Sequence, residues 1–232
     1  MDLLWRGVLQ AGQLIASGDP ELLRVLRLSL VVSALATILA ALAGVPAGVA
    51  LALGRFRGRG AIQTLVNTGM GLPPVVVGLV LTIFLWRTGP LGFLGLLYTP
   101  SAMVLAQFIV AAPIAAGFTQ AAIELLEPDL VAALRVDGAA SGKLAGELVR
   151  AALPQVIVAV AAAFGRAIAE VGASLMVGGN ILGQTRTLTT AITLVTSRGD
   201  FGLAIALGII LLAVALIVNA GLTWRARAAV VV

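Results

Sequence analysis

LVAALRVDGAASGKLAGELVRAALP, residues 130–154, is the one polar interior stretch in a 232-residue chain otherwise built of long apolar runs. Arg135, Asp137, Lys143, Glu147 and Arg150 fall within sixteen residues, too dense a set of charges for a segment in lipid. Ala132, Ala133, Val136, Ala140 and Leu144 recur at helical spacing, so the stretch has an apolar helical face. Gly138 and Gly142 interrupt that helix, and the spacing predicts two short pieces bent at Gly138. A charged, bent, amphipathic segment between two apolar runs is presented to water. It suits a protein partner better than a small substrate.

Outside this stretch the chain is built for a membrane. Hydrophobic residues make up 60% and charged residues 11%, far from soluble composition. Uncharged runs cover 28–54, 60–86, 88–123 and 201–224, each long enough to cross the hydrocarbon core. A fifth, 151–185, is interrupted only by Arg166 and Glu170. The expected fold is all-α transmembrane: five membrane-spanning helices plus an N-terminal interfacial amphipathic helix over 1–18, one transmembrane domain over 19–227, and a short tail over 228–232. Net charge is +5, but no basic face exists to hold nucleic acid, and membrane orientation accounts for the arginines. With neither cysteine nor histidine, disulfides, thiol chemistry, imidazole catalysis and the usual transition-metal ligands are excluded. The ten carboxylates lie mostly on loop edges, with no acidic pair inside a span, so no catalytic residue and no metal site is expected.

Taken in order, Leu4, Val8, Ala11 and Ile15 share one face of the first helix, and Trp5 suits an interface. Ser17-Gly18 ends it, and Asp19-Pro20 caps and opens a second helix running to about Leu53. RFRGRG (55–60) is an electrostatic stop. The second span, 61–86, holds GLPPVVVG, where Pro73-Pro74 removes two amide donors and forces a kink or a break near its middle. Such a break either lines a transport path or is a structural bend. The third span, 101–123, carries Pro113, and the fourth runs from Pro154 to about Val177. LTTAITLVTSR (188–198) reads as a solvent-side amphipathic helix, and 201–224 is the fifth span. Grouping 55–60, 130–152 and 225–227 on one side sets eight cations there against six on the other. That side is taken as cytoplasmic, with the N-terminus outside and the C-terminus inside.

GAASGKL (138–144) is not a phosphate loop: three residues separate its glycines, Leu144 follows the lysine, and no strand precedes it. Energy must therefore come from a separate subunit or an ion gradient. Arg166 and Glu170, the only charges within a span, stand four apart and close enough to pair. They are either a self-neutralising structural pair or functional groups.

Two alanines, a glycine and Leu153-Pro154 in the 130–154 stretch resemble the cytoplasmic coupling loop of ABC importer permeases. The run GRAIAEVGASLMVGGNILGQTRTLTTAITL (165–194) resembles the molybdate and tungstate permeases, the tungstate branch most. The family's glutamate is Ala132 here, and the spacing from Gly138 to Leu153-Pro154 is three residues longer than the general pattern, as in the tungstate branch. The resemblance implies a type I ABC importer permease in the cell inner membrane, itself no enzyme, moving an oxyanion, tungstate before molybdate. It implies a homodimer, two ABC ATPase subunits that bind ATP and Mg, and an extracytoplasmic substrate-binding protein. Coupling to the ATPase would fall to Ala132, Ala133, Val136, Gly138, Ala139, Ser141 and Lys143. Pro73, Pro74, Arg166, Glu170 and Gly172 are the pathway or structural candidates. The alternative is a gradient-driven secondary transporter or channel that uses Arg166 and Glu170. A non-transporting scaffold fits poorly with so many helix breaks inside spans.

If Gly138 supplies the bend, Gly138→Val should leave the chain in the membrane but lower ATPase recruitment and uptake. Co-purification of the ATPase and transport assays check this, and normal uptake would count against docking through this loop.

Overall fold

The computed structural model describes residues 2–127 and 141–228, and every regular element among them is helical. Helix α1 (Asp2–Ser17) stops at Gly18, whose φ of +60° is a conformation glycine adopts freely. Asp19 then caps α2 (Pro20–Leu53), its side chain accepting the Leu22 amide at 2.7 Å, with Pro20 in the first turn. Helix α1 ends where Ser17-Gly18 predicts and α2 begins where Asp19-Pro20 predicts. At 34 residues α2 is about 50 Å long, more than the hydrocarbon core requires.

The central pair of the bundle is α2 with α5 (Pro100–Glu124). Gly44 and Gly48 of α2 lie against Ala112, Ala115, Ala116 and Thr119 of α5. A Cβ on Gly48 would stand 2.8 Å from Thr119 Cβ and against the Ala116 carbonyl, so the backbones approach as closely as glycine permits. Pro113 stays inside a continuous α5, and its ring fills the space beside Gly69.

Span two is broken rather than kinked. Helices α3 (Arg59–Met70) and α4 (Pro74–Leu85) meet at 105°, because Pro73 is extended and neither proline supplies an amide. Along α5, Arg59 reaches Glu124, Met70 meets Gly117 and Gly69 meets Pro113, so α3 accompanies its second half. Val77, Leu81 and Leu85 of α4 share a buried cluster with Ala102, Met103 and Ala106 of its first half.

The fourth span departs from expectation. Helix α6 (Ser141–Ala151) meets α7 (Leu153–Ile168) at a bend of 80°. Helix α7 then stops short, and a separate α8 (Gly172–Gly178) completes the run. Gly142 does not interrupt a helix, since it lies within α6. The Gly138 bend, with Ala132, Ala133, Val136 and Ala139, lies outside the described residues.

A second correction concerns α9 (Leu188–Ser197), whose first half is not on the solvent side, while Thr193, Thr196 and Ser197 of its second half are exposed. Leu188, Thr189, Thr190 and Ala191 are buried, and the Leu188 amide donates to Ser29 Oγ of α2 at 2.8 Å. Its threonines bond locally: the Thr187 amide donates to Thr190 Oγ1 at 2.9 Å in a capping box. Polarity satisfied in this way can enter a core, and composition alone therefore misplaces the helix. The last helix, α10 (Phe201–Ala228), runs with α9 and α1 on the flank and leaves Leu212, Leu216 and Ile217 uncovered, as a lipid-facing helix does. Among the described residues, three helices, α2, α5 and α10, are long and apolar enough to cross a membrane, and the count reaches five when each bent pair is taken as one span.

Replacing Gly48 by Val should lower the folded yield by the equivalent of about 1–3 kcal/mol or more, since backbone must move. Gly60→Ala, which meets nothing within 4 Å, is the control, and detergent thermal-stability measurements compare the two.

Candidate functional site

The two helix breaks meet. A Cβ on Gly172, at the start of α8, would stand 2.7 Å from Val75 Cγ2 and 3.6 Å from Val75 Cα, in the first turn of α4. A Cβ on Gly78 would stand 2.7 Å from Ala173 Cα. Pro73 and Pro74 therefore open one wall of a mid-span junction, and Glu170 and Gly172 open the other.

Glu170 holds its side of the junction. Its side chain is 1% exposed; Oε2 accepts from Arg166 Nη1 at 2.9 Å, and Oε1 accepts the Ala173 amide at 2.9 Å. Its backbone carbonyl accepts from Thr189 Oγ1 at 2.9 Å, tying α9 to the same point. The pair expected from i, i+4 spacing is present. The capping of α8 was not foreseen, although Glu170 standing three residues before Ala173 is ordinary cap spacing. Arg166 keeps 26% of its side chain exposed, on the uncovered side of α7 with Gln155, Val158 and Ala169.

A buried polar chain beside the junction also escaped the sequence. Ser33 Oγ donates to Gln107 Oε1 at 3.1 Å, and Gln107 Nε2 donates to Ser174 Oγ at 3.3 Å, joining α2, α5 and α8. Each residue stands alone in its own span, and only the folded chain aligns them. Among the described residues, no group of three or more Asp, Glu, His or Cys side chains could hold a metal ion.

At the end where α2 and α5 finish, α6 lies across the bundle. Leu144, Leu148 and Val149 pack on Val49, Ala122, Ile123 and Val156, while Lys143 and Arg150 face outward. Of the seven coupling candidates, Ser141 opens α6 and Lys143 is exposed on it; the other five lie outside the described residues. Arg59 ties three elements beside α6. Its Nε donates to the Leu51 carbonyl at 2.6 Å, and its Nη2 donates to Glu124 Oε1 at 3.0 Å, which also accepts from Gln120 Nε2 at 2.9 Å. Beside these contacts an apolar cleft of about 830 Å³ opens between α6 and the last turns of α2. At the opposite end, Arg24 and Arg27 line a cleft of about 460 Å³ with Leu182, Gly183 and Gln184, and Arg186 pairs with Glu21 at 3.4 Å.

This architecture matches a known family over most of its length: the model of the binding-protein-dependent transport system inner membrane component covers residues 44–229. The chain belongs to that family. Among its relatives, the tungstate uptake system permease protein TupB of Peptoclostridium acidaminophilum is 37% identical over 220 residues, 95% of this chain and 96% of the relative. A probable anion ABC transporter permease protein of Haloferax volcanii is 43% identical over 223 residues, 92% and 96% of the two chains. The molybdenum transport system permease protein ModB of Escherichia coli K12 is 32% identical over 218 residues, 90% and 95%. In fold, this inner membrane component resembles the MetNI methionine ABC transporter with a TM-score of 0.75, 19% identity, and 90% and 95% coverage. A bacterial alginate ABC transporter gives 0.71, 21% identity, and 90% and 80% coverage. An inner membrane component of this kind is a non-catalytic subunit, and the ATPase is a separate one.

The junction makes a graded prediction. Arg166→Ala leaves Glu170 buried without its cation and should cost up to about 3–5 kcal/mol. Arg166→Ala with Glu170→Gln keeps an acceptor for the Ala173 amide and should be the more stable double variant. Arg166→Ala with Glu170→Ala loses the cap as well, about 1 kcal/mol more. Folded yield and thermal stability in detergent rank the three.

Proposed function

We propose that this chain is the permease subunit of an ATP-driven importer of an oxyanion, tungstate before molybdate. The single observation that carries the reading is α6: an amphipathic helix seated across the ends of α2 and α5, with its charged face outward, directly after the charged 130–140 stretch. Family membership supports the transport role, and the names of the relatives support the anion. The working assembly is a homodimer. Two ABC ATPase subunits carrying ATP and Mg sit against the 130–152 segments in the cytoplasm, and a substrate-binding protein docks at the opposite, external end. ATP-driven closure of the ATPases draws the two segments together, and the spans move about the fixed junction to open the path outward. The N-terminus then lies outside and the C-terminus in the cytoplasm. The gradient-driven alternative that uses Arg166 and Glu170 is disfavoured, because one oxygen of Glu170 is engaged by Arg166 and the other by the Ala173 amide.

Uptake of tungstate into vesicles should require ATP, the ATPase and the binding protein, with molybdate competing. Uptake that survives ATP depletion but collapses with the ion gradient would replace this reading by secondary transport. Lys143→Cys should label only from the cytoplasm, and Gly95→Cys and Gln184→Cys only from outside.

A further inference from the structure

Resting on the reading of the chain as an oxyanion permease, we infer that the outward face of α3 lines a water-filled route for the cargo, with Asn67 and Thr68 as the neutral donors it meets. Helix α3 is seated on α5 through Val66, Gly69 and Met70, which touch Gly117 and Pro113. At 100° per residue, Gly60, Thr64, Thr68 and Gly71 fall on the opposite side, with Asn67 at its edge next to Met70, and all five are exposed. The one side-chain hydrogen bond on this face among the described residues is Thr64 Oγ1 to the Gly60 carbonyl at 2.9 Å.

Depth makes this face informative. Arg59 is held at the charged end of the bundle by Glu124, and Asn67 lies eight residues further along, about 12 Å deeper. With α5 of 25 residues spanning about 37 Å beside it, the Asn67 carboxamide sits at the level of the hydrocarbon core. Turned toward acyl chains without a partner, it would cost several kcal/mol. Leu65, exposed on the other flank of the same helix, is the residue suited to lipid. The polar stripe ends at the Gly71–Pro73 break, beside the Gly172 junction. Broken helices at such depth are tolerated where they are buried in protein or line a wet cavity, and Gly71 and Pro73 at this break are exposed. Neutral hydroxyl and amide donors also suit a tetrahedral dianion in transit, since they hold it weakly enough for release, whereas an unpaired guanidinium would trap it.

The test uses the assembled importer in leaky membranes, with single cysteines in a chain that has none. Asn67→Cys and Thr68→Cys should react with an anionic, membrane-impermeant thiosulfonate at least about ten-fold faster than Leu65→Cys, because only a hydrated thiol ionises. Tungstate should slow that reaction, and modification should stop uptake. Asn67→Leu should cut uptake about ten-fold at unchanged yield, with Asn67→Gln retaining most of it. Equal, slow labelling at 65, 67 and 68 would overturn the inference in favour of lipid or a dry contact with a second copy. So would normal uptake by Asn67→Leu. Should Asn67→Cys fail to reach the membrane, Thr68→Cys carries the comparison. Labelling is independent of cargo: a parent protein that moves neither oxyanion rejects the functional reading, while a transporting parent that is unlabelled at 67 and 68 rejects this inference alone.

Discussion

The carboxylate of Glu170 is the constraint on which the rest of the junction depends. It is buried, and it is tolerable there only because one oxygen is held by Arg166 and the other by the Ala173 amide. Those two bonds fix where α7 stops and where α8 starts. The carbonyl of the same residue holds Thr189 and with it α9. One residue thus sets the relation of three helices at mid-depth, where a broken backbone has no water to fall back on unless the protein supplies a cavity.

Against this fixed point stands the second break. Pro73 and Pro74 cannot continue α3, so α4 starts afresh beside Gly172, and the absence of a side chain there lets the two breaks touch. The close pairing of α2 and α5 through Gly44 and Gly48 keeps the scaffold rigid on one side. Ser33, Gln107 and Ser174 bind α8 to that scaffold. At the charged end, Arg59 fastens the same two helices to α3 next to α6, so displacement of α6 acts on a clamped bundle rather than on one loose helix.

Much of this was legible in the sequence because it depends on local chemistry. Asp19-Pro20 marked a helix start, Pro73-Pro74 marked a discontinuity, and Arg166 with Glu170 marked a pair. Three features were not legible, each because tertiary context decides it. The break at 169–171 is set by the amide that Glu170 caps, and no proline announces it. The burial of α9 comes from threonines bonding to one another and to Glu170, although by composition the segment reads as surface. The outward polar face of α3 is a modest pattern in sequence. It acquires meaning once Gly69 and Met70 are seen to take the side against α5.

The most direct measurement is a disulfide between the two breaks. Val75→Cys with Gly172→Cys places two thiols where a Cβ at 172 lies 3.6 Å from the Cα of residue 75, within reach of ordinary disulfide geometry. The account predicts rapid intramolecular cross-linking of this pair in native membranes under mild oxidation, seen as a reducible mobility shift after cleavage of the 128–140 segment. Two free, separately alkylatable thiols under the same conditions would contradict it, because the breaks would then not meet.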